Sequence, residues 1–381
     1  MVVYQLVQRG RATWSSLPAF AQKELDGAVS GWRAAADGGF VQAQYNLGVM
    51  YSEGLGVAQS NAGAFRYYTK QGDAQAQCNL GQMYENGRGV QQSYEKAARL
   101  YLKAAKLGSP VAQYNIAGLY LRGCGMAQSD KNAVHWMQKT AEQGEVGAQY
   151  NLGLFFQKGR GVAQSNVKAT QWYRKAAEQG DPQAQVNLGA MFQNGCGGGV
   201  AQSDVEAARW FRKAADQGVG MAEGALGQMY AHGRGVAQSD SEALRWSRKG
   251  AHHECAQAQC LLGHFYEYGR GVAQDYGEAV RWYRKAADQG FAESQLYLGR
   301  MYATGRGVAE NPVEAARWCK QAAERGVSEA QYKLGFLYKE GSGVAQSDAL
   351  ALQWFKKAAD QGHEEASFQL GRFIADGRGV S

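Results

Sequence analysis

Tryptophan recurs at Trp136, Trp172, Trp210, Trp246, Trp282, Trp318 and Trp354, at intervals of 36, 38, 36, 36, 36 and 36 residues. A fixed period of about 20–50 residues means that one supersecondary unit is being copied into a stacked array. Length alone would divide 381 residues into two or three globular domains. A stack grows by adding units and escapes that limit. The 51 glycines, which would signal low complexity if scattered, fall at fixed columns, roughly four per unit, as punctuation.

Aligning the units on a Leu-Gly pair places its glycine at Gly48, Gly81, Gly153, Gly189, Gly227, Gly263, Gly299, Gly335 and Gly371, with Ala117 in the third unit. In one unit the constant residues are Ala148, Leu152, Phe155, Phe156 and Gly159, spaced i, i+4, i+7, i+8, i+11. That is the period of an amphipathic helix, here helix A. Gly153 costs about 1 kcal/mol against alanine in a helix interior, so its repetition predicts a close neighbour there. Gly159 suits a left-handed C-terminal cap. After a loop, Ser203 with Glu206, Ser239 with Glu242, and Asn311-Pro312 with Glu314 predict capped starts of a helix B. Its apolar stripe is Ala207, Trp210, Phe211, Ala214 and Ala215, with the tryptophan as a wedge between units.

Irregularities stand out against this register. The first unit is three residues short, between Lys70 and Gln71, and the fifth is two long, around Cys196-Gly197-Gly198. Ala28–Gly39 reads as a degenerate helix B with Trp32 one position out of register, preceded by a capping helix. The expected organisation is an N-terminal capping segment over 1–39, then a solenoid over 40–381 of about nine two-helix repeats and a final unpaired helix A. The end at Ser381, before a matching helix B, reads as cut or as completed by another chain.

The pattern Ala-Gln-Tyr-Asn-Leu-Gly-x-Met/Phe-Tyr-x-x-Gly-x-Gly-Val, then Ala-x-x-Trp-Tyr/Phe-x-Lys-Ala-Ala-x-x-Gly, resembles the Sel-one-like repeat family, relatives of tetratricopeptide repeats. The likeness runs from Ala28 to Val380. It implies an all-α fold, a right-handed α-solenoid with helix A lining a concave groove, and a scaffold or adaptor role without catalysis. One secreted bacterial branch of the family binds β-lactam-type compounds and has a cysteine pair in each repeat. Here Cys78, Cys124, Cys196, Cys255, Cys260 and Cys319 occupy different columns, which argues for reduced thiols in an intracellular, cytoplasmic protein. The first 23 residues, with Arg9, Arg11, Lys23 and no acid, also have the composition of a mitochondrial transit peptide, the alternative being an N-terminal packing segment. No apolar stretch approaches the roughly 20 residues of a membrane span.

Copied units carry recognition where the copies differ. In helix A these are the positions two, six and nine after the first alanine, opposite the apolar stripe and expected to face the groove. They include Tyr114, Tyr150, Leu296 and Tyr332; Leu154, His264, Arg300 and Phe336; and Glu85, Gln157, Glu267 and Lys339. Beside them Asn46, Asn79, Asn115, Asn151 and Asn187 fill one column, which then breaks to Ala225, Leu261, Tyr297, Lys333 and Gln369. An amide both donates and accepts, so the column suits a peptide backbone, or equally bonds between neighbouring helices. The later part, with His264, Tyr268, Tyr297, Arg300, Lys333 and Phe336, is more aromatic and charged.

Other chemistry is sparse. Loop arginines Arg88, Arg160, Arg234, Arg270, Arg306 and Arg378 predict a basic ridge, and Lys175, Lys213, Lys249, Lys285 and Lys357 run along helix B. Acids such as Asp216 four after Arg212 and Asp288 four after Arg284 predict a solvated, salt-bridged face. His252-His253-Glu254-Cys255, with Cys260, mimics a zinc set but aligns with a degenerate turn whose glycine column holds Glu254. No metal, cofactor or catalytic set is expected. The reading is a non-catalytic scaffold binding a protein or peptide segment, within a larger complex. Single-stranded RNA binding and a small-molecule binder or hydrolase are the alternatives, nucleic acid being disfavoured because the bases lie on loops and helix B.

Overall fold

Each full repeat of the pattern becomes a pair of helices. The computed structural model describes residues 19–55, 57–70, 73–195 and 201–379, and among them it contains twenty helices and no strand. They divide between two compact units, Met1–Asp181 and Pro182–Ser381. The first holds α1 (Ala19–Asp37), α2 (Val41–Glu53), α3 (Asn61–Lys70), α4 (Ala74–Asn86), α5 (Tyr94–Lys106), α6 (Pro110–Arg122), α7 (Asp130–Glu142), α8 (Val146–Lys158) and α9 (Asn166–Glu178). The second holds α10 (Pro182–Asn194), α11 (Asp204–Asp216), α12 (Gly220–His232), α13 (Asp240–His252), α14 (Ala256–Tyr268), α15 (Tyr276–Asp288), α16 (Ala292–Thr304), α17 (Pro312–Glu324), α18 (Ser328–Glu340), α19 (Asp348–Ala359) and α20 (Glu364–Ala375). Even-numbered helices from α2 are helix A, and odd-numbered helices from α3 are helix B. Within each unit a helix A packs mainly on the helix B that follows it, where there is one, and less on the one before.

The helices keep the register of the sequence repeat, and the irregular units show in them. Helix α3 has 10 residues where α5 has 13, as the three-residue deficit requires. The capping helix and degenerate helix B read from the sequence are one continuous helix, α1, whose Val29 and Ala36 are buried. The insertion at Cys196 and the basic N-terminal segment through Pro18 lie outside the described residues. Helix A ends as expected, on a left-handed glycine: Gly159 has φ 66° and its N–H reaches the Phe155 carbonyl. Only half of the capping box forms. Ser239 Oγ accepts from Glu242 N at 3.3 Å, but the Ser239 N–H goes to the Tyr230 carbonyl at the end of helix A, and Glu242 turns to Arg245 and Trp246 Nε1.

The Leu-Gly column explains how the two helices of a repeat close. A Cβ built on Gly153 would lie 2.5 Å from the Tyr173 ring, and one on Gly263 would lie 2.6 Å from Tyr283. The expected close neighbour is thus a ring of helix B, and it is the residue after the tryptophan. Tyr101, Tyr173, Tyr283 and Phe355 are fully buried. Of the tryptophans, Trp136, Trp210, Trp246, Trp318 and Trp354 are buried but Trp172 and Trp282 are only half-buried, so the wedge is shared between two columns. Where the glycine becomes Ala117, the ring position is Met137.

A buried amide ties successive repeats together. Gln149 Nε2 donates to the Ala141 carbonyl at the end of α7 (3.2 Å), and its Oε1 accepts from Gln179 at the end of α9 (2.9 Å). Gln113 and Gln331 make the same two bonds, to Ala105 and Gln143 and to Ala323 and Gln361. The side chain is a second donor to a carbonyl that already accepts the N–H of the turn glycine, Gly144, Gly108 or Gly326. In one repeat the pair is ionisable: Glu223, 1% exposed, meets His253 Nδ1 at 2.7 Å.

Candidate functional site

In the first unit the asparagines divide. All are half-buried. Asn46 accepts from Gln42 at 3.1 Å, Asn79 from Gln75 at 3.4 Å, and Asn151 Nδ2 donates to the Tyr114 hydroxyl at 3.0 Å. Asn115 in this unit, and Asn187 in the second, make no side-chain hydrogen bond among the described residues. The Asn151 bond holds the Tyr114 ring as one wall of a cavity of about 230 Å³ between α6 and α8, which Asn115 also lines. Tyr150 tilts on Tyr173 with ring centroids 5.9 Å apart, and Leu154 beside it is half-buried.

In the second unit the variable positions gather around a carboxylate. Glu267 accepts from the Tyr283 hydroxyl (2.7 Å) and takes Arg300 Nη2 on both oxygens (2.6 and 2.7 Å). The guanidinium lies 5.3 Å from the Tyr297 ring centroid, and the His264 ring lies 4.5 Å from that of Tyr268. Burial works against the charge of Arg300, but Glu267 outweighs it and leaves its pKa raised. Burial pushes the Tyr283 hydroxyl up and His264 down, with Glu267 opposing the shift of His264. Phe336 packs edge-on between Tyr332 and Phe355, and Lys333 pairs with Glu329 at 2.8 Å.

Two expectations about this face need correction. Glu267 is 2% exposed and Leu296 9%, and Val186 and Cys260 at position two are also buried. A helix in a two-layer stack touches neighbours on three sides, so positions opposite its stripe are not all free. Position nine reaches back to the ring of its own repeat: Glu85 accepts from Tyr101 (2.8 Å) and Gln157 from Tyr173 (2.7 Å), as Glu267 does from Tyr283. The sequence carried a sign of this, since an acceptor at position nine accompanies tyrosine there, whereas Lys339 accompanies Phe355.

The basic residues are largely engaged within the protein. Lys175, Lys213, Lys249, Lys285 and Lys357 place Nζ 3.9 to 4.6 Å from the ring centroids of Trp172, Trp210, Trp246, Trp282 and Trp354. Four arginines of the expected ridge are paired: Arg160 binds Asp130, Arg234 Asp204, Arg270 Asp240 and Arg378 Asp348, each the first helical residue of the preceding helix B. Arg306 instead lies over the Tyr276 ring. Arg212 and Arg284 turn from the acids four residues on to the hydroxyls of Tyr230 and Tyr302.

The histidine-rich tract is a turn, with Glu254 at φ 56° in the glycine column. No group of three or more metal-ligating side chains occurs among the described residues. Cys78, Cys124, Cys255, Cys260 and Cys319 are free; burial pushes the Cys78 thiol to about 11 and those of Cys260 and Cys319 to about 12. No described helix is long and apolar enough to cross a membrane.

The Sel1 repeat family model matches nine segments: 41–70, 74–109, 110–145, 146–181, 182–219, 220–254, 256–291, 292–327 and 328–363. Among solved structures, c5321, a protective antigen of uropathogenic Escherichia coli strains displaying an SLR fold, is 34% identical, with 100% of this chain and 84% of that one covered and a TM-score of 0.85. A Sel1 repeat protein from Oxalobacter formigenes is 32% identical over 81% of this chain and 90% of that one, with a TM-score of 0.64. No curated protein matches the chain.

Proposed function

From the premise that the chain belongs to the Sel1 repeat family, as nine matched repeats show, we propose that it is a non-catalytic scaffold binding a protein or peptide segment on the helix A face. The observation that carries this is the contrast between the two helix faces. Helix B commits its lysines to tryptophan rings, and the loops commit arginines to helix B aspartates. Helix A presents Tyr114, 40% exposed, beside the unbonded amide of Asn115. Amides and aromatic rings with little net charge suit a polypeptide, and cations already engaged are poor counterparts for a phosphate backbone.

The test is affinity capture with the intact chain and with variants carrying Asn115→Ala and Asn187→Ala, or Tyr150→Ala and Phe336→Ala. Partners retained by the wild type and lost by these variants, at unchanged stability, support the proposal. Unchanged capture by every variant refutes it, as does strong, salt-sensitive binding of single-stranded RNA.

A further inference from the structure

We propose that the cavity between α6 and α8 is a socket for one apolar side chain of a bound peptide, with a lysine or arginine next to that side chain pairing with Glu145. The inference rests on the helix A reading and names what that face selects. At about 230 Å³ the cavity is smaller than pockets for drug-sized ligands, roughly 300–1,000 Å³. It suits a side chain better than a whole small molecule.

Its opening follows from one residue. The position before the first alanine of helix A is Gln42, Gln75, Val111, Gln183, Met221, Gln257, Glu293, Glu329 and Glu365 elsewhere, and glycine at Gly147 alone. A Cβ on Gly147 would stand 3.9 Å from Tyr114, so a longer side chain here would extend over the cavity that the glycine leaves open. The rim is apolar and wet, with Val111 44% and Tyr114 40% exposed. Such exposed apolar groups around a concavity mark interaction sites.

Two polar groups at the socket are uncommitted. Asn115 offers donor and acceptor to a peptide bond. Glu145 occupies the N-cap of α8 without making the side-chain cap bond that Ser109 makes to Ala112 N in α6. No ion pair of Glu145 occurs among the described residues, so its carboxylate selects a cation and repels an acidic or phosphorylated segment.

The probe is a positional-scanning library of N-acetylated, C-amidated hexapeptides, read by binding to the immobilised full chain. The socket predicts enrichment of Leu, Met or Phe adjacent to Lys or Arg. Gly147→Leu, a change that favours the helix, should weaken the enriched peptides roughly tenfold or more. Glu145→Gln should remove the basic preference and leave the apolar one. Enrichment of acidic peptides, or a preference unmoved by both variants, overturns the socket. If those peptides still depend on Tyr150, the socket alone fails and the helix A reading stands. If no peptide is enriched and captured partners ignore every helix A variant, both fail.

Discussion

Gly153→Ala is the sharpest test of how a repeat closes. Gly153 is in mid-helix, so propensity alone predicts a gain of about 1 kcal/mol. The structure reverses the sign. The new methyl would lie 2.5 Å from Cδ1 and Cε1 of Tyr173. That ring is fully buried and its hydroxyl is tied to Gln157 at 2.7 Å, so it cannot swing aside. Overpacking of this kind costs about 1–3 kcal/mol, and the net expectation is a loss of up to about 2 kcal/mol. Gly118→Ala is the control: it lies within α6, and nothing stands within 4 Å of its added methyl. It should gain up to about 1 kcal/mol. Repeat arrays can unfold in parts, so native-state hydrogen exchange in α8 and α9 is measured beside urea midpoints. Stabilisation of the Gly153 variant to the level of the Gly118 variant would refute the ring-on-glycine account.

Three other outcomes are expected. His253→Ala strands the buried carboxylate of Glu223 and should lower stability by about 1–3 kcal/mol, below the full penalty for a buried pair because His253 is 44% exposed; Glu223→Gln with His253→Gln, which rebuilds the amide pair of the other repeats, should lose less in the same urea melts. Thiol labelling at pH 8 with peptide mapping should leave Cys78, Cys260 and Cys319 unmodified in the native protein, since burial raises all three, and modify them only on unfolding. Burial pushes Glu329 up, but hydrogen bonds and charge from Lys333 and His363 outweigh it and leave its pKa lowered. The folded value then lies below the unfolded one, so its contribution is full above about pH 4.3 and fades as pH falls through the folded value. Melting temperatures of wild type and Glu329→Gln should therefore converge in acid.

The fold was legible because the repeat averages out local ambiguity: Leu152, Gly153 and Gly159 recur in register, and the glycines do what their columns imply. Which polar column is structural was harder to see. The asparagine drew attention by breaking off after Asn187 but makes one bond between repeats, Asn151 to Tyr114, whereas the Gln149 column repeats its inter-repeat bonds at Gln113 and Gln331. Their signal was a constant polar residue on the buried face. The partners of the arginine column were hidden for a related reason. Arg160 and Asp130 are 30 residues apart and meet only once one repeat is laid on the next. The cavity at Gly147 depends on a missing side chain, which periodicity shows only as one deviant column.

The most direct measurement is hydrogen–deuterium exchange of the full chain with and without a partner recovered by affinity capture. The account predicts protection on helix A segments, foremost α6 and α8 around Tyr114, Asn115 and Gly147, with helix B unchanged. Protection confined to helix B and the arginine loops, with α6 and α8 untouched, would contradict it.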